Sequence, residues 1–119
     1  MQSYRDLTVW QKACDLVLLI YNLTREFPPQ EQFGLTSQMR RAAVSIPSNI
    51  AEGFTRRSPA DHANFARIAF ASGAELETQL YLSERLNLTT PSKLNEAKGL
   101  LNEVMRMLNK LTKVLRNNN

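Results

Sequence analysis

The chain has 119 residues, 43% of them hydrophobic and 22% charged, which is typical of one domain built around one core. Its single cysteine excludes a disulfide within the chain, and no apolar run approaches the roughly 18 residues that would cross a membrane. The formal net charge of +4 favours anionic partners, and the N-terminus lacks a secretory signal pattern, so we expect a cytoplasmic protein.

The first predicted helix covers residues 7–25 and is apolar around most of its circumference. Its cap is assigned to Asp6 or Thr8, because Thr8 and Gln11 fit a capping box. Two adjacent apolar stripes give an arc about twice the 100° that suffices to face one core. We therefore expect one stripe to face the other helices and the second to face another copy of this chain. The residues expected at this oligomer interface are Val9, Leu16, Leu19 and Leu23.

The second predicted helix covers residues 35–56 and contains Pro47 in its interior. A proline at this position removes a backbone donor and clashes with the carbonyl of Ala43, so we expect the helix to bend at Pro47. Ser45 and Asn49 are predicted to hydrogen-bond the freed carbonyl rather than a ligand.

The third and fourth helices are predicted over residues 59–88 and 91–116, each opened by a capping residue followed by proline. The caps are Ser58 and Thr90. Small side chains surround Gly73 in the third helix, and this composition favours the close approach of a neighbouring helix.

The short connections between these four segments predict an all-α fold, an antiparallel up-down-up-down four-helix bundle. No strand pattern is found, and residues 1–119 are interpreted as one domain whose last residues, 117–119, form a frayed tail. The wide apolar arc of the first helix and the small residues of the third both favour assembly into a homo-oligomer.

Two segments make the chain recognisable, RAAVSIPSNIAEG at residues 41–53 and SGAELET at residues 72–78. With them the sequence resembles the 23S rRNA intervening-sequence proteins, which are four-helix bundles. The resemblance implies a homopentamer, and it implies kinship with the accessory variability protein of diversity-generating retroelements, a basic protein that works with a reverse transcriptase. It implies no established catalytic role.

No constellation of side chains predicts catalysis, so we expect a protein without enzyme activity, metal or cofactor. A di-metal site in a helical bundle needs Glu-x-x-His pairs, whereas His62 is the single histidine and no glutamate stands three residues before it. Glu75 and Glu77 are two residues apart and point to different faces of a helix. His62 is interpreted as an exposed first-turn residue, and Cys14 as a reduced, buried thiol.

The carboxylates near the signature motif are interpreted as structural. Glu52 and Glu75 are predicted to form buried or half-buried ion pairs with Arg41 or Arg67, which would fix the register of the helices. The structural polar cluster is predicted to contain Ser45, Asn49, Glu52 and Glu75.

The basic residues suggest contact with RNA or DNA phosphates through the surface of a homo-oligomer. Few aromatic residues accompany them, so any such contact is expected to be weakly sequence-specific. The alternative is a structural adaptor that docks a protein partner, such as a polymerase, and does not bind nucleic acid itself. The residues predicted to contact nucleic acid are Arg40, Arg41, Arg56, Arg57, Lys110, Lys113 and Arg116.

Overall fold

Four long helices make up the computed structural model, which describes residues 3–117. Each helix packs against the next along the chain, and the first also packs against the fourth, so the four close into a bundle of 46 × 23 × 21 Å. The predicted all-α four-helix bundle is therefore confirmed, and no strand occurs within residues 3–117. The helices are α1 (Thr8–Thr24), α2 (Leu35–Phe54), α3 (Pro59–Arg85) and α4 (Pro91–Asn117), with short 3-10 turns at Tyr4–Asp6 and Pro29–Glu31.

The predicted caps of α3 and α4 are confirmed. The side chain of Ser58 accepts a hydrogen bond from the backbone of Asp61 at 3.1 Å, and Thr90 accepts one from Lys93 at 3.4 Å. Helix α4 continues to Asn117, and residues 118 and 119 of the predicted frayed tail lie outside the described residues.

The predicted cap of α1 is wrong, because Leu7 occupies the capping position without a side-chain hydrogen bond. The capping box lies earlier, between Ser3 and Asp6 on the first 3-10 turn. Gln11, the expected partner of Thr8, instead donates to the carbonyl of Arg5 at 2.7 Å.

Helix α3 ends at Arg85, three residues before the predicted end, because Asn87 takes a positive φ of 54°. Asparagine tolerates this left-handed conformation, which turns the chain back over the helix end. The backbone amide of Leu88 then donates to the carbonyl of Ser83 at 3.0 Å. This hydrogen bond satisfies one of the carbonyls that the end of the helix leaves without a partner inside the helix.

Helix α2 runs without interruption through the buried Pro47, and the predicted bend there stays a prediction. The expected role of Asn49 is wrong in detail. Its side-chain amide donates to the carbonyl of Ser45 at 2.8 Å and to the Ser45 hydroxyl at 2.9 Å, not to the carbonyl of Ala43. Asn49 lies four residues after Ser45, which places its side chain over that turn of the helix rather than over the earlier one.

The predicted oligomer interface on α1 is wrong for three of its four residues. Val9, Leu16 and Leu23 are buried in the core of the single protomer, and Leu19 is half-buried. They join Ala13 and Ile20 at spacings of three and four, which form one continuous buried face. The apolar pattern places Ala13 and Ile20 in the stripe expected to face the core and the other three residues in the stripe expected to face another copy. In the structure both sets face the core, so the predicted core face is rotated about the helix axis from the observed one.

Close contacts with glycine set the spacing between helices. A Cβ added at Gly73 of α3 would lie 3.0 Å from Cγ of Met105 on α4, which confirms the predicted close approach. Gly53 of α2 is more tightly enclosed, since an added Cβ would lie 2.8 Å from Cβ of Phe65 on α3. A larger residue at Gly53 would also meet the backbone carbonyl of His62 at 3.2 Å, so α3 would have to shift, whereas at Gly73 the flexible side chain of Met105 can move aside.

Candidate nucleic-acid interface

The positive charge of the protein is concentrated in one half of the bundle. The antiparallel topology brings residues 3–14, 46–72 and 104–117 together in the half that holds the start of α1 and the end of α4, which we call the basic half. It carries nine basic and three acidic side chains, a net charge of +6, whereas the remaining residues carry six basic and eight acidic ones, a net charge of −2. The overall +4 therefore conceals a strongly polarised molecule.

Five of the seven predicted nucleic-acid contacts lie in the basic half, and all five are exposed. Two follow the end of α2 and three lie on the last turns of α4, because α2 and α4 end on the same side of the bundle. Arg40 and Arg41 lie in the other half. The five residues are Arg56, Arg57, Lys110, Lys113 and Arg116.

The end of α4 presents a stripe of cations to solvent. Arg106, Lys110, Lys113 and Arg116 follow one another at spacings of four and three, so they share one face of the helix. At 1.5 Å per residue the stripe is about 15 Å long. The negative end of the helix dipole stabilises Arg116 in the last turn, and the spacing of the four side chains suits a run of backbone phosphates.

Arg56 is held in place beside α3. Its Nη2 lies 3.0 Å from Oε1 of Glu52, and its guanidinium lies over the ring of Phe65, 4.6 Å from the centroid. This pairing corrects the predicted partner of Glu52, because Arg56 stands one helical turn after it on the same face. Arg57 is exposed and takes part in no ion pair among the described residues.

Arg40 connects α2 to α1. Its Nε donates to the hydroxyl of Thr24 at 2.9 Å, an Nη donates to the carbonyl of Tyr21 at 3.4 Å, and its guanidinium lies 4.4 Å from the centre of the Tyr21 ring. A side chain held by three such contacts joins two helices. We therefore interpret Arg40 as structural in the isolated protomer.

The predicted polar cluster is divided in the structure. Ser45 lies 2.8 Å from the hydroxyl of Ser72 on α3, and Asn49 bonds to Ser45, whereas Glu52 and Glu75 belong elsewhere. Glu75 lines a shallow 240 Å³ pocket with Gln38, Arg41 and Gln79. Across residues 3–117 no ion pair joins Arg41 or Arg67 to either glutamate, so the predicted pairs are wrong.

His62 is half-buried rather than exposed as predicted, because it lies in the first turn of α3 and packs against the end of α2. Its ring meets Phe54 edge to face at 6.1 Å, and its buried Nε2 has no hydrogen-bond partner among residues 3–117. Burial lowers the pKa of His62, since the charged imidazolium loses solvation there. The neutral imidazole is therefore favoured in the folded protein.

Cys14 is half-buried, which is less than predicted. Burial, and to a smaller extent the carboxylate of Asp15, raise the pKa of the Cys14 thiol. A raised pKa keeps the thiol protonated and makes it a poor nucleophile. In the described range 3–117 no three histidine, cysteine or acidic residues come together to hold a metal ion.

Two grooves beside α1 were not predicted from the sequence. The α1–α2 groove, of about 630 Å³, exposes apolar residues next to two arginines. The α1–α4 groove, of about 490 Å³, exposes apolar residues next to carboxylates. The α1–α2 groove includes Tyr21, Phe33, Arg40, Arg41 and Val44, and the α1–α4 groove includes Asp15, Leu18, Leu19, Glu96 and Leu100.

The fold and the charge distribution define a small helical-bundle protein with one basic end, and none of its helices within residues 3–117 has the length and apolarity to span a membrane. The chain belongs to the 23S rRNA-intervening sequence protein family, whose profile matches residues 5–110. It is similar to the crystal structure of a protein of unknown function from the S23 ribosomal protein family of Bacteroides thetaiotaomicron VPI-5482. That similarity has a TM-score of 0.81 and 26% identity, and covers 89% of this chain and 99% of the other. No curated protein matches the sequence.

Proposed function

We propose that this protein is a non-enzymatic, homo-oligomeric binder of RNA or DNA backbone in the cytoplasm, and that its basic half makes the contact. The single observation that carries the proposal is the net charge of +6 in one half against −2 in the other. A polyanion is attracted to such a surface mainly through phosphate contacts and counterion release.

The side chains of the basic half favour backbone contact over base recognition. Phe65 is half-buried with the guanidinium of Arg56 over one face of its ring, and Phe70, in the same half, is only 37% exposed. Stacking platforms for single strands need exposed aromatic faces. The expected binding is therefore tolerant of sequence and strongly dependent on salt.

Assembly into a homo-oligomer would multiply this charge, since several basic halves presented together engage more phosphates than one. The exposed apolar side chains support assembly: Phe33 is 91% exposed and Leu18 is 69% exposed in the protomer. Phe33 and Leu18 each lie in a groove with further exposed or half-buried apolar side chains, and contiguous exposed apolar surface marks interaction sites. The family resemblance implies a pentamer and a kinship with the retroelement accessory protein, and we include both in this proposal.

The test is a titration of the purified protein with double-stranded and single-stranded RNA of mixed sequence, over a series from about 50 to about 200 mM salt. We expect log K to fall linearly with log salt, with little difference between sequences of equal length. Absence of binding at the lowest salt, or an affinity independent of salt, would overturn the proposal.

A second candidate function is the structural adaptor that docks a protein partner. It is favoured by a group of apolar side chains at the end of α3, away from the basic half: Tyr81 is 51% exposed, Leu82 42% and Leu86 58%. Affinity purification from the native cell separates the two functions. Recovery of one stoichiometric protein without RNA would support the adaptor, and recovery of RNA alone would support the backbone binder.

A further inference from the structure

We propose that the polar pocket between α2 and α3 binds a small zwitterion, a free α-amino acid with a short polar side chain. The pocket has a volume of about 240 Å³ and is lined by Gln38 and Arg41 of α2 and by Glu75 and Gln79 of α3. All four residues lie outside the basic half, so this inference goes beyond the proposed function and does not depend on it.

The four side chains that line the pocket have no partners of their own. Within residues 3–117 none of these side chains takes part in a hydrogen bond or an ion pair. Gln79 forms the floor, because it is only 5% exposed, and its buried Oε1 lacks a donor. Buried amide oxygens are nearly always hydrogen-bonded in folded proteins, so an unpartnered one favours a bound molecule that supplies the donor.

Arg41 and Glu75 bring opposite charges to this pocket without forming an ion pair with each other. They stand on different helices, and both side chains are exposed. The planar guanidinium of Arg41 presents paired N–H donors that match a carboxylate, whereas the carboxylate of Glu75 accepts from an ammonium group. An α-amino acid carries both groups on one carbon atom and would therefore interact with both walls at once.

Contacts between α2 and α3 lie at both ends of the pocket. At one end the hydroxyls of Ser45 and Ser72 lie 2.8 Å apart. At the other end the hydroxyl of Ser83 donates to Sδ of Met39 at 3.4 Å. These two contacts fix the separation of the helices, so the walls of the pocket are positioned before a ligand arrives. Preorganisation of this kind reduces the free-energy cost of binding.

The size and composition of the pocket restrict the ligand. Sites for drug-sized molecules have volumes of roughly 300–1,000 Å³, and this pocket is smaller. Among the described residues no apolar side chain lines it, so a large apolar substituent would gain no contact there. Nucleotides and apolar amino acids are thereby disfavoured, whereas serine and similarly compact polar amino acids have the required size and polarity.

The test is a titration by saturation-transfer NMR with L-serine as the probe, since this method detects weak ligands of a protein of any oligomeric size. We expect saturable binding with a Kd of about 1 mM or lower. N-acetylserine lacks the ammonium group, and serinamide lacks the carboxylate. Each should bind at least about tenfold more weakly than serine, because each loses one charge-assisted interaction.

Variants of the lining residues locate the site. Arg41→Gln and Glu75→Gln should each weaken serine binding by at least about tenfold. Arg25→Gln and Glu77→Gln are the matched controls, since they remove exposed charges outside the pocket and should leave the Kd unchanged. Gln79→Leu should also weaken binding without lowering Tm, because the unpartnered carboxamide has no hydrogen bond to lose.

Three results would overturn this assignment: no saturable binding of serine at about ten times the expected Kd, analogues that bind as well as serine, or an unchanged Kd in both Arg41→Gln and Glu75→Gln. The last two would show that any bound serine is held without the paired charges of the pocket. The RNA titration tests the basic half separately, because the pocket lies outside it, so either proposal can fail without the other.

Discussion

The hydroxyls of Ser45 on α2 and Ser72 on α3 lie 2.8 Å apart, and this hydrogen bond joins the two signature motifs at the middle of the bundle. Ser45 also accepts from Asn49 at 2.9 Å, so one hydroxyl serves two partners. Both serines are half-buried, where a missing partner is only partly replaced by water. The motifs are thus linked by side chains that support the fold.

We expect Ser72→Ala to lower the free energy of unfolding by about 0.5–1.5 kcal/mol, the usual net contribution of one hydrogen bond. A double-mutant cycle with Ser45→Ala, measured by urea unfolding, should give a coupling energy of at least about 0.5 kcal/mol. Ser48→Ala is the control, because Ser48 lies on α2 like Ser45 but is exposed. Additive effects of the two mutations would contradict a hydrogen bond that matters for stability.

Gly53→Ala should destabilise the protein by about 1–3 kcal/mol, because the new methyl group would overlap Cβ of Phe65 and the backbone carbonyl of His62. Gly99→Ala is the matched control on α4, where an added Cβ would meet no atom of the described residues within 4 Å. There the change should stabilise the helix by roughly 0.5–1 kcal/mol. Thermal and urea unfolding measure both effects, and equal responses at the two glycines would show that α2 and α3 are not closely packed.

Leu16→Ala and Leu18→Ala test the rotation of α1 directly. Leu16 is fully buried and its truncation should cost about 2–5 kcal/mol, whereas Leu18 is 69% exposed and its truncation should change stability by less than about 0.5 kcal/mol. Both free energies are measured by chemical unfolding at one fixed, low protein concentration. A larger loss of stability for Leu18→Ala than for Leu16→Ala would place Leu16 at the surface, as the sequence predicted.

His62 should make stability fall as the solution becomes acidic. Its folded pKa lies below the unfolded value near 6.5, so the unfolded chain binds more protons between these two values. The free energy of unfolding therefore decreases as pH drops below about 6.5, and the loss is complete below the folded pKa. Unfolding from about pH 7.5 to about pH 5.5 should be steeper in pH for the wild type than for His62→Gln, and parallel curves would count against this role.

Removal of three cations from the basic half, by Arg57→Gln, Lys113→Gln and Arg116→Gln, should reduce the salt dependence of RNA binding. Each phosphate interaction that is removed lowers the slope of log K against log salt by about 0.7 for single-stranded RNA. The control triple variant, Arg25→Gln, Arg85→Gln and Lys98→Gln, has the same net charge but alters the other half. If both triple variants bind RNA with equally reduced affinity, net charge rather than the basic half determines binding.

Apolar periodicity and the Ser-Pro and Thr-Pro starts were enough to predict four helices, because these signals are local. The same signals did not predict which face of α1 is buried. Its two stripes are almost equally apolar, and only the positions of the neighbouring helices decide which one faces the core. The end of α3 depended on one residue, Asn87, whose left-handed conformation the apolar pattern did not reveal.

The site was predicted less well than the fold. Arg56 and the cations of α4 are far apart in sequence, and only the antiparallel topology places them together. The partner of Glu52 could have been found from its spacing to Arg56, which is one helical turn. The two grooves could not be predicted from the sequence, because each combines side chains from different helices and the sequence does not determine how those helices are rotated relative to each other.

Because its positive charge sits at one end of a 46 Å long body, each protomer is an electric dipole aligned with its own length. The field of a polyanion turns such a dipole before the two surfaces touch, and so raises the share of collisions that arrive in a productive orientation. If neighbours stand in parallel, their dipoles add rather than cancel. The resulting assembly would have two chemically different faces, one attractive to nucleic acid and one left open to other molecules.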